Sequence, residues 1–265
     1  MTTRIITALI AATAWFTMLL KGSYPLCWGV MVGIGVVCTY EYFSMVLRGG
    51  DKKFIVFATL ICVLPLLFLY VPDLAHFNGG LVVSALSLLC LVLYGYKQSD
   101  DPFNLSLRLV FGLMYCGFLS GHIILMLALP QGAFWLFALT VITTFSDSGA
   151  YFVGKSMGRH KLCPHISPGK TIEGFVGGIV SASLGAVLIG LILFPELSAL
   201  TMALWAIPLS ILGVAGDLSE SIIKRATGTK DSGRILPGHG GLLDRADSLF
   251  FCAPAFYYIL YFNLL

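Results

Sequence analysis

Nine apolar runs, each about as long as a bilayer's hydrocarbon core requires, recur along this 265-residue chain, and they restrict its fold more than any other feature. They lie at roughly 4–20, 24–47, 54–72, 77–96, 107–129, 132–154, 172–194, 201–223 and 246–264. Charged residues make up 11% of the chain, against about 25% in soluble domains. Mean hydropathy is +0.92. The runs do not alternate apolar and polar residues, so a barrel is excluded and helices remain as the spanning elements. The expected fold is all-α: a polytopic integral membrane protein with about nine transmembrane helices.

The basic residues test that count. With the N-terminus in the cytoplasm, Arg4 lies inside, as do Arg48, Lys52 and Lys53, then Lys97 and Arg108. Lys155, Arg159, Lys161 and Lys170 follow, and finally Lys224, Arg225, Lys230, Arg234 and Arg245. Of 16 Lys and Arg residues only Lys21 is left outside. A wrong helix count would move every later loop to the other side, so the pattern favours nine spans, N-in and C-out. The net charge of +3 is then a topology signal and gives no reason to expect nucleic-acid binding. No small-x-small cleavage site follows the first run, which is expected to be retained. Six of the seven Cys residues fall singly inside apolar runs and read as small hydrophobes; Cys163 lies in a loop, and no CxxC pair suggests zinc or redox chemistry.

Polarity divides the chain unequally. Within the runs of residues 1–130 the only acid is Glu41 and the only histidine is His122, and each reads as a satisfied helix-interface residue. From 131 onward, Asp147, Glu173, Asp217, Glu220, Asp244 and Asp247 all lie in or at the ends of runs. An ionised group at mid-bilayer costs roughly 2.5–3.5 kcal/mol on insertion scales, so a cluster of acids points to a cavity or a ligand. Residues 1–130 are expected to be a scaffold. Residues 131–265 are expected to be the catalytic half, with cytoplasmic loops at 155–171 and 224–245.

Two stretches carry the chemistry. In the run ending near Lys224, Asp217, Glu220, Ser221 and Lys224 fall at i, i+3, i+4 and i+7, on one helical face. A carboxylate recessed below a basic rim suits a metal whose substrate carries phosphates. Beyond it, Pro237-Gly238-His239-Gly240-Gly241 cannot form a stable helix, and its glycines let backbone N–H groups approach phosphate oxygens. Asp244 and Asp247 then share a face at the start of the last run, where the helix dipole favours carboxylates. Hard oxygens beside Lys and Arg are what magnesium and a triphosphate require. The stretch Pro168-Gly169-Lys170-Thr171 is not a P-loop, because the position five residues before Gly169 is Pro164, where that motif needs glycine. Lys170 and Thr171 are expected to hold a phosphate from a different kind of turn.

The segment Ser221 to Asp247, with Ser-Ile-Ile-Lys-Arg, then Lys230-Asp231, Leu236-Pro237, His239-Gly240-Gly241-Leu242 and Asp244-Arg245-x-Asp247, resembles the signature of the phosphatidate cytidylyltransferases. Asp147 to Gly154, Gly158 to Leu162 and Ile166 to Gly174 resemble that family's upstream block. Ala246 and Gly169 depart from it: a larger apolar residue and a basic residue are usual there. The N-terminal half is similar only in hydropathy and helix number.

The resemblance implies transfer of CMP from CTP to phosphatidic acid, giving CDP-diacylglycerol and pyrophosphate. It implies magnesium, with room for a second cation, on Asp217, Asp244 and Asp247. Lys224, Arg225, Lys230 and Arg245 would neutralise phosphates, and Asp231 would ligate metal or orient a lysine. His239 and its glycines would shape the loop. Ser167, Lys170 and Thr171 would hold a substrate phosphate. A homodimer in a bacterial inner membrane, with the site facing the cytoplasm, is the expected setting. Three other readings compete with this one. A CDP-alcohol phosphotransferase needs an Asp-Gly opening and two aspartates four apart, but Asp244 and Asp247 are three apart. An ion-coupled transporter would show repeated halves, which are absent here. The same chemistry on an isoprenoid ether lipid phosphate is left open by the sequence.

Overall fold

The computed structural model describes residues 2–96, 101–235 and 240–265, with side chains from residue 9 onward. The Arg4 side chain, Lys97 and residues 236–239, including His239, lie outside the described residues. Ten α-helices account for most of the rest: α1 (Thr2–Lys21), α2 (Tyr24–Val46), α3 (Lys52–Phe68), α4 (Leu74–Gly95), α5 (Pro102–Gly112), α6 (Ser120–Leu127), α7 (Gly132–Met157), α8 (Ile172–Leu193), α9 (Ala199–Ala226) and α10 (Leu243–Tyr261). A π-helical stretch, Leu113–Leu119, joins α5 to α6, so that Pro102–Leu127 is one rod. Among the described residues, strands occur only in a short hairpin, β1 (Lys161–Cys163) and β2 (Ser167–Thr171), in the expected loop.

Among the described residues, six helices are long and apolar enough to cross a bilayer: α2, α4, the Pro102–Leu127 rod, α7, α8 and α9. The chain is thus an all-α polytopic membrane protein. Helices also stand at the other three expected spans, but they fall short of that standard. Helix α3 has 17 residues, about 25 Å at 1.5 Å per residue. Helix α10 carries Asp244, Arg245 and Asp247 in its first turns, and α1 is described in full only from Leu9. The count of nine and the N-in orientation rest on the charge pattern alone.

The chain folds as two compact units: residues 1–128 with 227–246, and residues 129–226 with 247–265. Residues 227–246 belong to the first unit.

In the first unit, aspartates start the helices. Asp51, Asp73 and Asp101 accept from the backbone N–H of Lys53, His76 and Asn104 at 3.0, 2.8 and 2.9 Å, satisfying donors that a helix start otherwise leaves open. Pro65 sits inside α3 and cannot donate to the Ile61 carbonyl four residues back. The Ser84 hydroxyl of α4 donates to that carbonyl instead, at 2.7 Å. Such replacement is needed where no water reaches. At the same contact Gly80 lets the helices close: a Cβ there would stand 2.7 Å from the Pro65 Cα. His122 is fully buried, its Nδ1 2.8 Å from the Phe118 carbonyl and its ring edge-on to Phe77 and Phe118. It stands at a helix interface, as expected from sequence, with its Nδ1 paired there.

In the second unit, α7 and α8 pack backbone to backbone. A Cβ at Gly174 would meet the Ala150 carbonyl at 2.7 Å, and one at Gly178 the Ser146 carbonyl at 2.9 Å. Small residues four apart allow this closeness between apolar helices, where van der Waals packing must replace the hydrophobic effect. Ser146 of α7 and Ser210 of α9 share a buried hydrogen bond of 2.7 Å. Trp135 stacks on Phe194 with ring centroids 3.7 Å apart.

Candidate active site

The hairpin of the second unit is built from local rules. β1 and β2 pair antiparallel, Lys161 opposite Thr171 and Cys163 opposite Ser167. Thr171 ends the hairpin and caps α8: its backbone is extended, and its Oγ1 accepts the Gly174 N–H at 3.1 Å. Glu173, in the first turn of α8, reaches back to the N–H groups of Arg159 (3.0 Å) and His160 (3.2 Å) and to His160 Nδ1 (2.6 Å). Lys161 Nζ donates to the Pro168 carbonyl at 2.8 Å. Glycine is needed at 158, because a Cβ there would overlap the Gly154 carbonyl and stand 2.8 Å from Thr171 Oγ1. The Thr171 hydroxyl is therefore occupied by the cap, and of the three residues expected to hold a phosphate, Lys170 is the one that reaches a charged group.

That group is Asp217. Lys170 Nζ lies 2.8 Å from Asp217 Oδ2, both side chains partly exposed. Ser221 Oγ approaches Asp217 Oδ1 at a long 3.4 Å. Lys224, on the same face of α9, pairs instead with buried Glu220 at 2.6 Å. Arg225 Nε donates to the Ile166 carbonyl at 3.3 Å, so the hairpin is tied to α9 at two places. Helix α9 runs on to Ala226, which puts Asp217 about 13 Å inside that end at 1.5 Å per residue.

Helix α10 brings a further acid into the same unit. Asp247 is buried and its Oδ1 accepts the Ser248 N–H at 2.6 Å. Gly216 makes this possible: a Cβ there would stand 2.6 Å from the Asp247 carbonyl. Asp217 and Asp147 lie close enough to Asp247 to repel its charge, and Lys224 close enough to attract it. Asp147 is exposed on the α7 surface. Among the described residues, no three His, Cys, Asp or Glu side chains are grouped tightly enough to hold a metal ion by themselves.

The first unit contains the other half of the expected constellation, residues 230–245, and two carboxylates organise it. Asp244 Oδ2 accepts from Ser232 N, Ser232 Oγ and Gly241 N, each at 2.9 Å. Glu41 of α2, 3% exposed, accepts from Leu243 N (2.9 Å) and Leu242 N (3.2 Å), with Ser232 Oγ at 3.3 Å. These N–H groups open α10, so Glu41 caps that helix with a charge its dipole favours. Gly240 has φ +83°, the left-handed conformation expected of this run. Glycine is also required at 241, where a Cβ would overlap Ser232 Oγ and come within 2.6 Å of Glu41 Oε2. Lys230, Asp231, Arg234 and Arg245 are exposed.

Sequence reasoning reads Glu41 as satisfied, and it is, but by a loop some 200 residues away rather than by a neighbouring helix. The available signal was its isolation as the only acid within an apolar run of the first 130 residues. Glu173 stands within a motif that gives it no role of its own; in the structure it fastens the hairpin.

The chain matches known proteins over almost its whole length. The model for the Cytidylyltransferase family matches residues 2–263. The phosphatidate cytidylyltransferase of Bacillus subtilis is 35% identical over 264 residues, covering 97% of this chain and 96% of that protein. Its namesake from Staphylococcus saprophyticus is 32% identical over 257 residues, covering 96% of each. An uncharacterized Escherichia coli protein, YnbB, is 44% identical over 148 residues, 54% of this chain and 49% of its own. The similarity therefore includes the N-terminal half, where the sequence motifs gave only hydropathy.

Proposed function

The chain belongs to the cytidylyltransferase family, and we propose that it transfers CMP from CTP to phosphatidic acid, giving CDP-diacylglycerol and pyrophosphate. The observation that carries this reading is the end-to-end similarity to two proteins named for that activity. The Lys170–Asp217 pair beside the basic end of α9 is in keeping with it. A lipid phosphate oxygen forms a bond to the α-phosphorus of CTP while the bond to the pyrophosphate oxygen breaks. The nucleophile is already ionised, so no strong general base is needed, and catalysis rests on positioning and on neutralising charge.

The Lys170–Asp217 pair is the resting form of the site. An ion pair open in part to water is weakened by solvent screening, so a triphosphate can take the Lys170 ammonium and release Asp217. The ammonium beside Asp217 also marks that carboxylate as a place where positive charge is accepted. Asp217 and Asp247, with Asp147 near them, offer hard oxygens that suit magnesium. The ion, held by Asp217 and Asp247, would neutralise triphosphate charge and ease departure of pyrophosphate. Asp244, whose Oδ2 already takes three donors, shapes its loop. Lys224, Arg225, Lys230 and Arg245 supply positive charge for phosphates. A cytoplasm-facing site in a bacterial inner membrane lets one substrate arrive through the lipid and the other through water.

The test is incorporation of labelled CTP into organic-extractable lipid by detergent-purified protein, with and without phosphatidic acid and magnesium. Label that needs both is the expected result. No label under any divalent metal, from folded protein, would overturn the activity. Label without added metal, and in the presence of chelator, would overturn only the magnesium assignment.

A further inference from the structure

A cavity of about 650 Å³ lies within the first unit, between the end of α2, the start of α3, the end of α4 and the start of α5. None of its lining residues belongs to the catalytic constellation. Arg48, Lys53 and Arg108 line it together with Phe54, Phe57, Leu91, Tyr94 and Leu105. Cations and apolar side chains thus share one hollow, at the ends of α2 and α4 and the starts of α3 and α5. Two acids, Asp51 and Asp101, also line it, but each already accepts a backbone N–H at the helix it caps.

Arg108 is braced in place. Its Nε donates to Asn104 Oδ1 at 3.0 Å and its Nη1 to the Val46 carbonyl at 2.7 Å. The Arg108 carbonyl in turn accepts the buried Tyr42 hydroxyl at 2.9 Å. A guanidinium fixed this way is set up for a phosphate rather than merely trailing into water. The helix starts at Lys52 and Pro102 add partial positive charge on the same side.

We propose that this cavity binds an anionic phospholipid from the surrounding leaflet. The phosphate sits among Arg48, Lys53 and Arg108, and an acyl chain lies along Phe57, Leu91 and Tyr94. Basic pockets between membrane helices recognise anionic headgroups through this combination. Of the charged ligands that three cations could take, a lipid is chosen by the wall: Phe54, Phe57, Leu91, Tyr94 and Leu105 line the same hollow as the cations, and an acyl chain can follow them where a soluble phosphate cannot.

The experiment is lipid retention by the full-length, detergent-purified protein, read by native mass spectrometry with phosphatidylglycerol against phosphatidylcholine. Phosphatidylglycerol is a diester, so it is not the proposed acceptor. Wild type should retain it preferentially. The double substitution Arg48→Gln with Lys53→Gln should lower that preference about tenfold. Lys155→Gln, the same kind of charge loss outside the cavity, should leave it unchanged. Leu91→Trp, which fills the hollow without changing charge, should lower retention and so covers the case in which the double variant folds poorly. An unchanged preference in the folded cavity variants would overturn the proposal. So would displacement of the lipid by soluble glycerol 3-phosphate at equal concentration, which would mark a site for free phosphate.

Discussion

The hairpin 161–171 and the loop 230–245 both carry the motif residues of this family, yet they are held by opposite means. Charged side chains at the surface anchor the hairpin: Lys170 to Asp217, Arg225 to the Ile166 carbonyl, Glu173 to His160. Buried Glu41 and half-buried Asp244 anchor the loop by collecting its backbone N–H groups. An exposed ion pair can open when a phosphate arrives. A buried carboxylate cannot be released without leaving its N–H partners unsatisfied, at about 1–3 kcal/mol for each group. One segment is built to exchange partners, and the other to keep its shape.

The contrast can be broken at several points. Asp217→Asn should lower turnover about 100-fold or more while the protein stays folded, since it removes a carboxylate proposed to hold the ion that neutralises the triphosphate; near-normal turnover at saturating magnesium would remove Asp217 from the chemistry. Glu41→Gln should cost about 2–3 kcal/mol, seen as earlier thermal unfolding, and lower turnover about tenfold through a misplaced loop. A Glu41→Gln variant as stable as wild type would show that the loop holds itself. Lys170→Ala should raise KM for CTP about tenfold yet change stability by less than about 1 kcal/mol. If it destabilises more than Glu41→Gln, the distinction between the two anchors is wrong. Lys161→Met, which loses one contact inside the hairpin, should alter activity by no more than about twofold.

What could be read from the sequence follows from the range of the forces involved. Helices α2, α7, α8 and α9 lie within a few residues of their expected runs, because hydropathy is a property of contiguous residues. The left-handed Gly240 was legible because backbone freedom is local. The hairpin was not, since strands of three and five residues containing Pro168 and Gly169 carry no alternation to detect. Nor was the π-helical turn Leu113–Leu119, whose only irregular residue is Gly117. On the face shared by Asp217, Glu220, Ser221 and Lys224, spacing gave the face but no partners: Lys224 takes Glu220, and Asp217 takes a lysine from the hairpin. Pairing between distant segments was beyond a reading of spacing, and Glu41 shows this most plainly.

The distance between Glu41 and its partners also sets a schedule for making the protein. The N–H groups it binds belong to residues 201 and 202 positions later. Bacterial and other ribosomes add about 5–20 residues per second. The carboxylate of α2 therefore waits about 10–40 seconds after its own synthesis before its ligands exist. During that interval Glu41 is without the Leu242 and Leu243 N–H groups that it holds in the finished fold.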